Sequence, residues 1–442
     1  MSRQDQPFDI LDAWALRADE RRLLLWCILC IGLGFLMLWG STWTSGGQIG
    51  QADLLPFGLY AVAVLGLHLI LVSVRFRGDT LMVVALAFLS GLGILAQYRL
   101  GSFQGTTGVA INLALYPIGF ALMGLTVALF MRGRHRLLTG SGWGWMWALL
   151  SLGLLGALLV FGQRFRGGVY AAGLITPSEM LKVTIVLFLA AYIDRHAKSL
   201  ARWGLGALLP PWRALWPLLA VWSILTALLV VQRDLGLLVI LSTVLLVMLT
   251  VGTGRLVYLV QGLLACALAA LAVLELMPHG ARRVQAWLDP FQDPTGQGWQ
   301  ILQGLSGMYA GGLWGDGFGR GSPEYTPIAQ SDFVYAVIGE ELGFAGSAIL
   351  VLFFVLLCAR GLQIAARAQG GAGQLIAVGT IMVLATQTLL NIGGVTKSLP
   401  LTGLPLPFIS HGGSSLLTGF IGLGLVLAVS DGQPPPRRRG PS

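Results

Sequence analysis

Residues 330–343 read Gln330-Ser331-Asp332-Phe333-Val334-Tyr335-Ala336-Val337-Ile338-Gly339-Glu340-Glu341-Leu342-Gly343, and here a long polar stretch runs into an apolar one. Working back to Arg282, the chain is dense in Gly, Trp and Asp, as in Gly311-Gly312-Leu313-Trp314-Gly315-Asp316-Gly317-Phe318-Gly319. Working forward, apolar residues continue to about 359, long enough to cross a bilayer core. A membrane protein with so many glycines, aromatics and carboxylates in one loop is expected to do chemistry there.

Composition sets the class. Over 442 residues, 55% are hydrophobic and 11% charged, too little charge to cover a water-facing surface. With a mean hydropathy of +0.77, the chain reads as an all-α polytopic membrane protein. Apolar stretches lie near 23–44, 54–75, 80–99, 109–131, 141–162, 174–194, 214–231, 235–253, 256–277, 333–359, 374–394 and 404–429, about twelve transmembrane helices. The first has no small-residue cleavage pattern and reads as a retained anchor. Cys27, Cys30, Cys266 and Cys358 lie in apolar stretches and predict no disulfide, and Cys27-x-x-Cys30 reads as lipid-buried rather than redox-active.

Positive charge is retained on the cytoplasmic side. With the N-terminus inside, only Arg99, Arg164, Arg166, Arg233, Arg282, Arg283, Arg320 and Lys397 fall in outer segments, Lys182 falls within a span, and every other Lys and Arg is on the inner side. Both termini are therefore expected in the cytoplasm. The net charge of +9 belongs to this bias and to anionic membrane lipids, so no nucleic acid is expected as a partner. The organisation predicted is a cytoplasmic segment 1–22, N-terminal transmembrane helices 23–140, a core 141–430 with an extracytoplasmic loop 278–332, and a disordered basic cytoplasmic tail 431–442.

This topology puts the unusual polar clusters on the outer face: Thr176-Pro177-Ser178-Glu179 with Lys182, Gln232-Arg233-Asp234-Leu235-Gly236, the long loop, and Asn391-Ile392-Gly393-Gly394 through Ile409-Ser410-His411-Gly412-Gly413-Ser414-Ser415. Segments far apart in sequence sharing one side are what a single outward-facing active site requires.

In order and spacing, Pro177-Ser178-Glu179-x-x-Lys182, Asp234-Leu235-Gly236, Gly296-x-Gly298-Trp299-Gln300, Gly311-Gly312-Leu313, Asp332-Phe333, Glu340-Glu341-Leu342-Gly343 and Leu404-Pro405-Leu406-Pro407-Phe408-Ile409-Ser410-x-Gly412-Gly413-Ser414-Ser415 resemble the SEDS family (shape, elongation, division and sporulation). The resemblance covers about 141–430 and implies a helical bundle of that type, with two more N-terminal helices than usual. This chain differs from the family pattern at Arg233, His411 and Asp316. The implied function is peptidoglycan glycosyltransfer, polymerising undecaprenyl-pyrophosphate-linked lipid II at the outer face of the bacterial cytoplasmic membrane. The implied partner is a class B penicillin-binding transpeptidase. A lipid-linked oligosaccharide flippase and a non-catalytic scaffold for such a transpeptidase are the alternatives.

That chemistry needs a base for the acceptor hydroxyl and positive charge for the departing pyrophosphate. Asp332 is the expected base, placed where the loop meets a span and matching the family's catalytic aspartate; capping the following helix is its alternative role. Arg282, Arg283, Arg320 and Lys397 are the candidate pyrophosphate binders, and contact with lipid headgroups is the rival reading for the arginines. Glu179 and Lys182 share a helix face and either pair or line the substrate cavity. Glu340 and Glu341 are expected two to three turns inside the membrane from Asp332. Asp234, Glu341, Gln300, Ser410 and Ser414 complete the supporting set. Trp287, Trp299 and Trp314 either stack on sugars or anchor the loop at the interface. No protein-built metal site is expected; a divalent cation, Mg²⁺ or Mn²⁺, could bind through pyrophosphate oxygens.

Overall fold

The computed structural model describes residues 9–103, 108–140, 142–165, 168–170, 176–204, 210–276 and 278–431. The basic tail from residue 432 lies outside the described residues. Helices run in the order α1 (Ile10–Leu16), α2 (Ala18–Thr44), α3 (Gln51–Ser73), α4 (Leu81–Arg99), α5 (Gly108–Phe130), α6 (Trp143–Phe161), α7 (Pro177–Leu200), α8 (Trp212–Gln232), α9 (Leu235–Thr253), α10 (Val257–Leu276), α11 (Pro278–Leu288), α12 (Trp299–Gly311), α13 (Val334–Arg367), α14 (Gly371–Val395) and α15 (Gly413–Ser430). The bundle is all-helical as expected, with one short two-stranded antiparallel ribbon, β1 (Gln163–Phe165) with β2 (Gly168–Tyr170), in a connection.

Among the described residues, 10 helices are long and apolar enough to cross a membrane, two fewer than the dozen expected. The difference falls on α7 and α10. The first carries Glu179, Lys182, Asp194, Arg195 and Lys198, and its middle is buried by protein rather than lipid. The second has a described apolar part of only Val257–Ala269. Spans that face lipid, such as α2 and α6, are apolar all round, because hydrocarbon rewards no polar face.

Local signals set the boundaries near the polar clusters. Pro177 stands in the first turn of α7, where its missing N–H costs nothing. Arg233 adopts a left-handed conformation (φ 61°) that stops α8, and Asp234 then caps α9 by accepting from the Leu237 N–H at 2.9 Å. A chain reversal of two residues results.

The stretch 278–332, read as a polar loop, is largely helical: α11 and α12 occupy much of it. Their polar faces disguised them. A second difference concerns α13, which is not one descent into the membrane. Gly343 breaks it at φ 66°, ψ −168°, leaving a short helix that begins at Val334 and a long one that ends at Arg367. The turn after α12 stitches the break. Phe344 and Ala345 donate to the carbonyls of Gly312 and Leu313, while the carbonyls of Glu340 and Glu341 accept from Asp316 and Gly317. The loop thus takes the place of part of the missing intrahelical ladder.

At the centre, α14 packs against α7, α9, α13 and α15. The end of the bundle opposite the polar clusters carries its own ion pairs, Arg17 with Glu20 and Arg360 with Asp79, and His68 Nδ1 lies 2.8 Å from Glu20 Oε1. There Asp431 accepts from the Arg77 and Arg132 N–H groups at 3.0 and 3.1 Å, tying the end of α15 to two inter-helix turns.

Candidate active site

Asp332 stands immediately before the short helix of α13, and its main chain is held from two sides. Asn391 on α14 donates from Nδ2 to the Asp332 carbonyl at 2.9 Å and to the Leu404 carbonyl at 2.7 Å. Ser410, 5% exposed, donates to the Ser331 carbonyl and accepts from the Leu406 N–H at 2.8 Å. The carboxylate accepts from the Ser331 hydroxyl at 2.7 Å, and a Cβ on Gly403 would lie 3.5 Å from Oδ2. The N-cap of α13 is Phe333, without a side-chain cap bond, so the capping role considered for Asp332 is not that of an N-cap residue.

From Asn391, one turn back along α14 on the same face, lies Gln387. Its Nε2 donates to the Pro405 carbonyl at 2.7 Å and to Ser415 Oγ at 3.3 Å, while its Oε1 accepts from Lys182 Nζ at 2.8 Å. Lys182 also pairs with Glu179 Oε2 at 2.7 Å, and the two side chains are 5% and 16% exposed. Ion pair and cavity wall are here the same residues. With Val383, Leu384, Gln387 and Ser415, Glu179 and Lys182 line a narrow cavity of about 30 Å³ between α7, α14 and α15. Ser414, buried, accepts from the Thr176 N–H at 2.6 Å and ties the start of α15 to that of α7.

Arg283 closes the other side. Its Nη1 donates to the Thr402 carbonyl at 2.9 Å, next to the Gly403 that faces Asp332. Trp287 Nε1 donates to the Lys397 carbonyl at 3.0 Å, so the polar face of α11 is docked on the 397–402 turn. That gives Trp287 a structural duty, whereas Trp299 and Trp314 are exposed. Burial pushes the Asp234 carboxyl above its ordinary value; Lys182 and Arg283 pull it back down and Glu179 adds to the rise. Four charges predicted separately therefore feel one another.

Other predicted residues stand apart. Arg282 is exposed on α11, Lys397 is half-buried in a left-handed turn (φ 59°), and Gln300 lies in the first turn of α12. Arg320 is exposed in the turn packed on Glu340 and Glu341. Glu341, expected deep in the membrane, instead meets this turn: its Oε1 accepts from Arg99 Nε at 2.6 Å and its Oε2 from the Gly319 N–H at 3.2 Å. Glu340 accepts from the Ser322 N–H at 2.7 Å. The break at Gly343 is the reason. Gln97 and Gln387 are the residues that sequence reasoning passed over as site members, and Asn391, named in an outer polar cluster, is given no role by it. Gln97 Nε2 donates to the carbonyls of Gln330 and Ile409, both at 2.9 Å. The signal for them was an amide inside an apolar helix, where an unpaired carboxamide is costly.

Fold and site together define a polytopic helical membrane protein with one polar centre at a single end of the bundle, built around a carboxylate and flanked by buried charge. Residues 78–433 match the cell cycle protein family of FtsW, RodA and SpoVE, and the chain belongs to that family. It is 34% identical over 406 residues to the peptidoglycan glycosyltransferase RodA of Mycobacterium tuberculosis, covering 88% of this chain and 86% of that one. Its fold is similar to a chain of a peptidoglycan synthase complex that coordinates polymerization and crosslinking, with a TM-score of 0.62, 30% identity, and coverage of 80% of this chain and 98% of that one. The crystal structure of Thermus thermophilus rod shape determining protein RodA is similar at a TM-score of 0.55 and 25% identity, with 80% and 97% covered. The chain is thus an integral inner-membrane protein of this family.

Proposed function

We propose that the chain is a peptidoglycan glycosyltransferase that polymerises lipid II at the outer face of the cytoplasmic membrane, with Asp332 as general base. The observation that carries this reading is the pinning of Asp332 by Asn391 and Ser410, which fixes its backbone and leaves the carboxylate at the Gly403 bend beside the Arg283 anchor. Asp332 takes the proton from the acceptor sugar hydroxyl as that oxygen bonds to the donor's anomeric carbon, and the donor's bond to the pyrophosphoryl lipid breaks. The departing pyrophosphate gathers negative charge, which Arg283 is placed to meet, with Arg282 and Lys397 on the same docked elements. Arg320, exposed in the turn packed on Glu340 and Glu341, is a further candidate for that charge.

The named relatives support the activity, and the synthase complex supports a transpeptidase partner. The positive-inside bias supports cytoplasmic termini. Among the described residues no three His, Cys, Asp or Glu side chains form a metal-binding group. We propose that a divalent cation, Mg²⁺ or Mn²⁺, would bind through the substrate's pyrophosphate oxygens.

The test is purified protein with labelled lipid II, alone and with a candidate transpeptidase, scored for glycan polymer and for transbilayer movement. Asp332→Asn should lose roughly 10²- to 10⁴-fold in polymer formation while melting like the wild type. Normal polymerisation by that variant would remove Asp332 from the role. Movement without polymer would indicate a transporter, and neither activity with the partner present a scaffold.

A further inference from the structure

A second cavity opens at the same end of the bundle, between α2, α3, α4 and the turn at Gly319, with a volume of about 320 Å³. That lies within the range of about 300–1,000 Å³ usual for small-molecule sites. Two of its walls, α2 and α3, precede residue 78, where the family match begins. Its lining includes Ser41, Ser45, Gln48, Asp53, Tyr98 and Arg99.

The lining is organised. Asp53 Oδ1 accepts from the Tyr98 hydroxyl at 2.9 Å and Oδ2 from the Gly50 N–H at 2.8 Å, which aims the carboxylate and leaves it further lone pairs. Arg99 spends two of its five N–H donors on Glu341 and on the Gly321 carbonyl, at 2.6 and 2.8 Å. Ser41 donates to the Gly319 carbonyl at 3.2 Å, and a Cβ on Gly319 (φ 79°) would come within 3.1 Å of Ser41 and Leu38. The helix hairpin and the turn that carries Arg320 are thus fitted together. Gln48 and Ser45 are exposed at the cavity.

These groups select a ligand. The guanidinium is already matched by Glu341, and Asp53 adds a second carboxylate to the lining, so no net positive charge is left for a pyrophosphate. Leu38 and Ile49 are the only aliphatic side chains on the wall, too little for an acyl chain. Mixed hydroxyl, carboxamide, carboxylate and guanidinium groups beside an aromatic ring suit vicinal hydroxyls, which donate and accept together. We propose that this cavity binds carbohydrate, an uncharged, hydroxyl-rich saccharide segment. It is the N-terminal helix pair that supplies the site. The identity of the natural ligand, a glycan strand leaving Asp332, rests on the function proposed above; the binding chemistry does not.

The experiment titrates chitotetraose into the purified full-length protein without lipid II, by calorimetry or saturation-transfer NMR. Wild type should bind saturably. Ser45→Trp, which fills the exposed mouth, should weaken binding at least tenfold, Gln48→Ala severalfold, and Asp332→Asn not at all. Melting curves identify any variant that fails to fold, and Gln48→Ala keeps the test open if Ser45→Trp does. Absence of saturable binding by wild type, undiminished binding by both cavity variants, or displacement of the saccharide by inorganic pyrophosphate would each overturn the proposal. Polymerisation by Asp332→Asn bears on the catalytic reading alone, and chitotetraose binding on the cavity alone.

Discussion

Asn391 donates to the main-chain carbonyl of Asp332, so the candidate base is positioned from α14 rather than by its own helix. Asn391 is 3% exposed, and removing its amide leaves the Asp332 and Leu404 carbonyls short of a donor, at about 1–3 kcal/mol per unsatisfied group. Asn391→Ala should lower kcat by roughly 10²-fold, the cost of a small misplacement, with little change in KM. A variant that loses affinity for lipid II but keeps kcat would show that Asn391 acts on substrate and not on Asp332.

The Glu179–Lys182 pair is expected to behave asymmetrically. Lys182→Met leaves Glu179 without its cation and costs about 3–5 kcal/mol, the usual penalty for breaking a buried pair. Glu179→Gln combined with Lys182→Met should recover part of that loss. Chemical denaturation of the two single variants and the double variant measures the coupling; strictly additive effects would mean that the pair is not an energetic unit.

Gly343→Ala should destabilise the protein. Its backbone conformation is one that only glycine takes without strain of about 1–3 kcal/mol, and an added Cβ would sit 2.4 Å from the Gly315 nitrogen. A lower melting temperature is expected, together with reduced polymerisation, since the Gly312–Gly317 turn would have to leave the break. An unchanged melting temperature would contradict the stitched geometry.

Stability should also fall on mild acidification through His135, which lies in the 3₁₀ turn Arg134–Thr139 at the far end from the site. It packs on α14 so closely that a Cβ on Gly373 would be 2.9 Å from its Nε2. Burial, with help from Arg136, lowers its pKa below the ordinary 6.5. The unfolded chain therefore takes up the proton first as pH drops. The folded state is unaffected above pH 6.5 and loses stability as pH falls from there toward the lowered value. Melting at about pH 7.5 and about pH 5.5 should show a smaller drop for His135→Gln than for wild type; equal drops would exclude this residue as the cause.

Much of this was legible in the chain. Hydropathy reveals the spans because lipid imposes one rule on every residue that faces it. Asp332, Arg283, Asp234 and the Glu179–Lys182 pair stand out because charge near a bilayer needs a reason. Gln387 and Asn391 were harder to see, since two amides a turn apart in an apolar helix do not alter its hydropathy and their partners come from residues 332 and 404–405. The helices α11 and α12 hid in a stretch read as loop, their polar faces masking them. The break at Gly343 was invisible for another reason: Glu-Glu-Leu-Gly reads as the continuation of a span until the turn that replaces its hydrogen bonds is in view.

That break has a mechanical meaning. A transmembrane helix answers a thicker or thinner bilayer by tilting. Because the long part of α13 starts anew after Gly343 and joins the short part through the Gly312–Gly317 turn, the segment that carries Asp332 is moored to α14 and to the 404–410 segment rather than built on a helix that must tilt with the bilayer.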